Sequence, residues 1–324
     1  MVASLTRIFS AAGFVGAVVA LVLLSGLSTG HAAEWSEGAP IGDARAFGGA
    51  AARGETVFVA GGAGLEGPVE DFAAYDTVGD IWRPLPPMPT GRQSFGIAVA
   101  NDGGLYVSGG FAGQEFDAPS ADLWRYDISS AVWVQMADMP AGRARHGMAS
   151  VGSKLYVVGG EGPNPSRVLV YDTATADWSE LEADLPASRK DLSVVAAGDQ
   201  VFAIGGRTPG GVTGQVHAID VTLRGAWRTL PALPAPRADA AAGVVGGKVH
   251  VAGGRSNDPM RTFSEHYVFD TASNRWQTAP SLPLPRLGAA SAGVDGKFVV
   301  IGGSGGAGVF SFFTASDVVN IYAP

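Results

Sequence analysis

The sequence predicts an all-β fold: a six-bladed β-propeller with four antiparallel strands per blade. Three observations carry that prediction. A Gly-Gly pair ends a short apolar run six times, at Gly61-Gly62, Gly109-Gly110, Gly159-Gly160, Gly205-Gly206, Gly253-Gly254 and Gly302-Gly303, with spacings of 46 to 50 residues. A Trp precedes each pair by 26 or 27 positions: Trp35, Trp82, Trp133, Trp178, Trp227 and Trp276. An Arg precedes each by 16 or 17: Arg45, Arg92, Arg143, Arg189, Arg237 and Arg286. A period near fifty, built from short β-rich runs, is the mark of a repeat architecture.

The third unit shows how each element arises. Strand a is expected over residues 145–151, b over 154–158, c over 168–171 and d over 178–181. Each run is short, rich in Val, Tyr or Leu, and bounded by turn residues. Between c and d, Asp172-Thr173-Ala174-Thr175 reads as a turn, because an Asp carboxylate accepts from the backbone two residues on. The same apolar-Asp step recurs at Tyr75-Asp76, Tyr126-Asp127, Ile219-Asp220 and Phe269-Asp270. The Gly pair suits positive φ or the close approach of another segment. Pro140, Pro186, Pro234 and Pro283 follow strand d, where the chain passes to the next blade. The last unit holds strands a, b and c and has no Trp segment, whereas residues 34–37 form a Trp segment with no preceding strands. The N-terminal strand is therefore expected to close the last blade. Closure removes a sheet edge that would otherwise invite aggregation.

The fixed order of Arg, Gly-Gly, apolar-Asp and Trp resembles the kelch repeat across residues 35–322. That resemblance implies one propeller over residues 34–324, with no linker or second domain. Hydrophobic residues make up 46% and charged ones 16%, enough to fill blades, so the 47 glycines belong to an ordered repeat rather than a disordered chain.

Residues 1–33 stand apart. Arg7 is their only charged side chain, residues 8–27 are apolar, and Gly30-His31-Ala32-Ala33 offers a small-residue exit. This reads as a secretory signal peptide, with an uncleaved anchor as the alternative. A secreted or periplasmic protein is expected, not inserted in the membrane once the signal is cleaved, and monomeric. Without Arg7 the 22 basic residues become 21, against 30 acidic, a net of −9. That balance disfavours nucleic acid. There is no Cys, so no disulfide forms.

A residue recurring in every blade reads as scaffold, and one that breaks the pattern is a candidate for function. The repeat arginines are expected to hold neighbouring blades together, and the repeat tryptophans to be core. Counting from each Arg, the fourth position is always small: Gly49, Gly96, Gly147, Ser193, Ala241 and Ala290. The sixth is small except at Val195. Both sets are expected to face the crowded channel axis. The second position, expected at the channel mouth, is heterogeneous: Phe47, Ser94, Arg145, Asp191, Asp239 and Gly288. Two readings fit. One is a solvated mouth with an internal ion pair. The other is a polar pocket that recognises a protein or carbohydrate ligand through Arg145, Asp191 and Asp239, with Ser94 and Phe47 beside them.

Arg207 and Arg255 directly follow Gly pairs, where other blades have Ala63, Phe111, Glu161 and Ser304. Kelch proteins that bind peptides use Arg at this place, and two residues after the repeat Arg, to hold acidic ligands. The resemblance thus implies roles for Arg207, Arg255 and Arg145, and Arg can grip a carboxylate bidentately. Phe111, Phe116, Phe310, Phe312 and Phe313 either pack over the rim or form an apolar contact patch. Some exported six-bladed kelch proteins are sialic-acid mutarotases. On that alternative Asp191 or Asp239 would serve as base, with an Arg holding the sugar carboxylate. Kelch copper oxidases need a Tyr–Cys cross-link, which this chain cannot form. His31, His146, His217, His250 and His266 show no metal-ligand spacing. Neither metal nor cofactor is expected, and the favoured reading is a noncatalytic binding protein.

Overall fold

The apolar runs before the Gly pairs become the second strands of six four-stranded antiparallel sheets. The computed structural model describes residues 33–112, 118–223, 225–257, 260–306 and 308–324. The leader expected over residues 1–33 lies outside them, apart from Ala33, as does Phe116. Blade 3 holds Gly147–Val151, Lys154–Val158, Leu169–Asp172 and Asp177–Glu180. Blade 6 holds Ala290–Val294, Lys297–Ile301 and Val319–Ala323, and Glu34–Gly38 completes it as strand d. Five residue pairs fix that closure, from Glu34 opposite Ala323 to Gly38 opposite Val319.

The cores lie between adjacent sheets. One cluster joins Tyr156, Val158 and Val170 of blade 3 to Val201 and Ile219 of blade 4. The small residues at the fourth and sixth positions belong to these seams, not to the axis. A Cβ added to Gly49 would meet Ile97 of the next blade at 2.6 Å, and one added to Gly96 would meet the Met148 Cβ at 2.8 Å. Strand a is an edge strand, so its backbone edge lines the channel while its side chains point into the two flanking seams.

The repeat Arg and Trp exchange the jobs expected of them. The six arginines are buried, but their guanidinium groups tie their own blade. Arg237 donates to the carbonyl of Gly253 at 2.8 Å and of Glu265 at 3.0 Å, joining the ends of strands b and c. Arg92, Arg143 and Arg286 likewise reach the carbonyl of their first Gly. The tryptophans staple blade to blade. Each indole N–H donates to a carbonyl after strand d of the preceding blade, as Trp178 does to Ala137 at 2.8 Å and Trp35 to Pro280 at 2.7 Å. All but Trp227 are half-buried, as a seam position requires. Among the described residues, the arginines join neighbouring blades through their backbone: the second Gly N–H donates to the carbonyl of the next blade's Arg, and Gly303 to Arg45 at 2.9 Å closes that circuit.

Four histidines are buried in these seams. His146 lies 2.9 Å from the Ser108 hydroxyl, His217 2.8 Å from Arg189, and His250 3.0 Å from His266. Burial, then Arg143, lowers His146 to about 3. Burial, then His250, lowers His266 to about 3. Unfolded His titrates near 6.5. The unfolded chain therefore binds protons that the folded one refuses. The histidine contribution to stability is complete above pH 6.5 and falls as the pH drops from there towards 3. At pH 4.5 His146 alone should remove about 2–3 kcal/mol. Urea melts at pH 7 and pH 4.5 test this, and equal midpoints would overturn it.

Candidate functional site

The mouth is built by a backbone ring. Phe47, Ser94, Arg145, Asp191, Asp239 and Gly288 all have positive φ, between 53° and 60°. Each donates its N–H to the carbonyl of its counterpart in the preceding blade. The bonds run Phe47 to Gly288 at 2.7 Å, Ser94 to Phe47 at 2.8 Å and Arg145 to Ser94 at 2.7 Å. They continue from Asp191 to Arg145, Asp239 to Asp191 and Gly288 to Asp239, each at 2.9 Å. The second position is therefore not strand. Strand a of blade 3 begins at Gly147 rather than at Arg145, because the left-handed turn breaks the alternation two residues earlier.

The residue after each Gly pair is brought beside this ring by a single antiparallel bridge. Arg207 bridges to Lys190, Arg255 to Ala238 and Glu161 to Ala144. Arg207 and Arg255 also open short two-stranded ribbons, Arg207–Thr208 with Gly211–Val212 and Arg255–Asn257 with Met260–Thr262. The folding of two local segments per blade thus delivers two positions per blade to one mouth.

Five of the expected residues meet there. Arg145 donates from Nη1 to Asp191 Oδ1 at 3.2 Å. Arg207 Nη2 lies 3.3 Å from Asp191 Oδ2. Arg255 donates from Nε to Asp239 Oδ2 at 2.6 Å and brings Nη2 to 3.8 Å from Asp191 Oδ2. Both carboxylates are buried, with Asp191 only 2% exposed, while the three arginines keep 12–26%. Burial, and then repulsion from Asp191, push the Asp239 carboxyl above the usual carboxylate range against the pull of Arg255 and Arg145. For Arg145, burial opposes the charge, but Asp191, Glu161 and Asp239 outweigh it and raise its pKa.

Ser94 and Phe47 stand across the mouth. Together with the three arginines, Gln93, Ser311 and Phe312 they enclose a cavity of about 340 Å³. Beneath it lies a chamber of about 110 Å³ that reaches Asp191, Asp239 and Gly288. The arginines line the upper cavity and the two aspartates only the lower chamber. Of the aromatics in the b–c segments, Phe111 is buried beneath Arg145, 5.7 Å from its guanidinium. Phe312 faces Phe47 with ring centroids 6.0 Å apart. Phe310 and Phe313 are exposed.

Sequence reasoning left out Glu161 and Lys190 as partners. Glu161 Oε1 lies 3.3 Å from Arg145 Nε as an ion pair, and Glu161 also pairs with Lys190. Its signal was present, since it directly follows Gly159-Gly160, the same place as Arg207 and Arg255. Among the described residues, no group of three or more His, Asp or Glu is placed to hold a metal ion.

A family model of the KLHDC2/KLHL20/DRC7 Kelch-repeats domain matches residues 24–160 and 136–303. Human Kelch-like protein 35 is 35% identical over 108 residues, 33% of this chain and 18% of that protein. The F-box/kelch-repeat protein At1g67480 of Arabidopsis thaliana is 31% identical over 112 residues, 33% of this chain and 30% of that protein. Each match thus spans less than a third of the relative's own length. A solved structure of YjhT superimposes with a TM-score of 0.74 at 20% identity, covering 86% of this chain and 95% of that one.

Proposed function

The chain belongs to the kelch-repeat family, and from that premise we propose that its channel mouth is a noncatalytic recognition site for a carboxylate-bearing protein or carbohydrate ligand. One observation carries the reading. Arg145, Arg207 and Arg255 converge from blades 3, 4 and 5 on a single cavity of about 340 Å³, within the range of small-ligand pockets. Two buried carboxylates hold the guanidinium groups in place from below, so their forks are organised before a ligand arrives. Organised donors bind more tightly because less freedom is lost on association.

The reading includes export. Arg7, the apolar residues 8–27 and Gly30-His31-Ala32-Ala33 support a cleaved leader and a secreted or periplasmic site of action. Among the described residues, no helix is long and apolar enough to cross a membrane.

Sugar mutarotation is the second reading, and the placement of the carboxylates argues for binding instead. Asp191 and Asp239 lie under the arginines, each engaged by at least one of them. A general base must reach the proton that it removes. The test is NMR of freshly dissolved glucuronate and N-acetylneuraminate anomers, with and without protein. Anomer exchange at the spontaneous rate is expected, with saturable shifts for a bound acid. Faster exchange in the presence of protein would defeat the binding-only reading.

A further inference from the structure

The mouth cavity has two walls of opposite chemistry. Arg145, Arg207 and Arg255 form one, from blades 3 to 5. Phe47 and Phe312 form the other, from blades 1 and 6, and their rings are tilted by 59° at 6.0 Å. The aromatic wall is built into the ring itself. Gly288 is the only ring position without a side chain, and Phe47 occupies the space: a Cβ at Gly288 would meet its Cδ1 at 2.7 Å and its Cε1 at 2.8 Å. Phe312 directly follows a 3-10 turn at Gly308–Ser311. Phe310 and Phe313 extend that segment's apolar surface, at 64% and 74% exposed.

The charges choose a valence. Arg145, Arg207, Arg255 and Lys190 face Asp191, Asp239 and Glu161 in one connected set of ion pairs. Among the described residues, four cations against three carboxylates leave this set one positive charge in excess. One added negative charge completes the set, and a second would be unmatched.

We propose that the mouth takes a small amphipathic monocarboxylate, with its acid group on the arginine wall and an apolar ring or branched chain against Phe47 and Phe312. This deepens the recognition reading above and rests on it. A polyhydroxylated acid fits the arginine wall, and Ser94, Gln93 and Ser311 can meet some of its hydroxyl groups, but those turned towards Phe47 and Phe312 find no partner. A neutral aromatic amide fits the phenyl wall but leaves the excess positive charge unanswered. A cavity of about 340 Å³ accommodates a single ring with a short acidic arm.

Calorimetric titration of the full chain with phenylacetate, phenylacetamide and glucuronate tests both levels. Phenylacetate is expected to bind at least tenfold more tightly than the other two. Phe312→Ala should weaken phenylacetate at least fivefold and leave glucuronate unchanged, and Phe312→Leu, which keeps apolar bulk, should restore most of the affinity. Arg145→Ala should weaken both acids. If glucuronate binds as tightly as phenylacetate and depends on Arg145, the amphipathic assignment is overturned and the anion site stands. If phenylacetamide matches phenylacetate, the monoanion assignment is wrong. If neither acid binds saturably up to about 10 mM, a level that detects even weak complexes, both the assignment and the recognition reading fall.

Discussion

A chain lacking residues 34–40 is expected to melt roughly 10 °C below the full ring and to aggregate on heating. The deletion removes the fourth strand of blade 6, with all five of its pairings to Val319–Ala323. It also removes Trp35, whose ring centroid lies 5.3 Å from Tyr322, 5.4 Å from His266 and 5.9 Å from Phe298. Loss of a large packed aromatic typically costs about 3–5 kcal/mol. In a chain of this size 1 kcal/mol moves the midpoint by about 2–4 °C or less. Ala39 goes too, and with it the acceptor of the Trp82 indole N–H and the donor to Asp80. The seam between blades 6 and 1 thus loosens from both sides. Strand Val319–Ala323 becomes an unpaired edge, a template for pairing with another chain. Scanning calorimetry and light scattering check both effects, and an unchanged midpoint would count against closure by this strand.

Arg143→Ala and Arg145→Ala should fail in opposite ways, although the two residues are neighbours. Arg143 is 1% exposed and, among the described residues, forms no ion pair with a carboxylate: its guanidinium donates to the carbonyl of Arg167 at 2.7 Å and of Asn164 at 3.2 Å. Truncation strands buried carbonyls at the end of blade 3. A hydrogen bond to a charged group is worth about 1.5–3 kcal/mol, so the loss should reach ~3 kcal/mol or more. Arg145 is part of the mouth. Without it Asp191 keeps Arg207 and Arg255 nearby. Ala accepts the same φ of 56° no less readily than Arg, so the exchange reads the side chain alone. Arg145→Ala should melt close to the parent and bind phenylacetate at least tenfold more weakly. If Arg145→Ala unfolds the protein and Arg143→Ala leaves it stable, recurrence across blades does not separate scaffold from site.

The blades were legible because the repeat imposes them. Strand b of blade 3 is Lys154–Val158, as its apolar run implies, and strands c and d are displaced by one residue. The closing strand followed from counting Trp segments. What recurrence does not reveal is the body a recurring residue touches. The repeat Arg and Trp are both invariant in position, yet one binds within its blade and the other across the seam. Spacing alone carries no sign of that difference. The mouth was legible as a ring of variable residues, but its backbone was not. Phe, Ser, Arg and Asp at positive φ have no common sequence signal, since the conformation is imposed by hydrogen bonds to the neighbouring blade, between residues at least 46 positions apart. The clustering of Arg145, Arg207 and Arg255 on two aspartates depended on that ring and on the bridge beside it. Glu161 holds the same place in the repeat as Arg207 and Arg255, but its negative charge marks it as a partner of Arg145 only once the ring has brought the two together.

The ring of backbone bonds also fixes how the mouth can acquire its electrical character. Its peptide groups follow one another head to tail around a closed circuit. Dipoles arranged in this way cancel as vectors within the plane of the ring, and each N–H and C=O of the circuit is already engaged by its neighbour. A helix N-terminus, by contrast, brings about half a positive charge to any ligand placed on it. Here the paired backbone ring leaves its own N–H groups committed, and the charge that changes from blade to blade at the mouth is carried by side chains. Its sign can be reversed by exchanging three arginines without disturbing one bond of the ring. The architecture thus separates rigidity from polarity, and an identical frame can serve ligands of either charge.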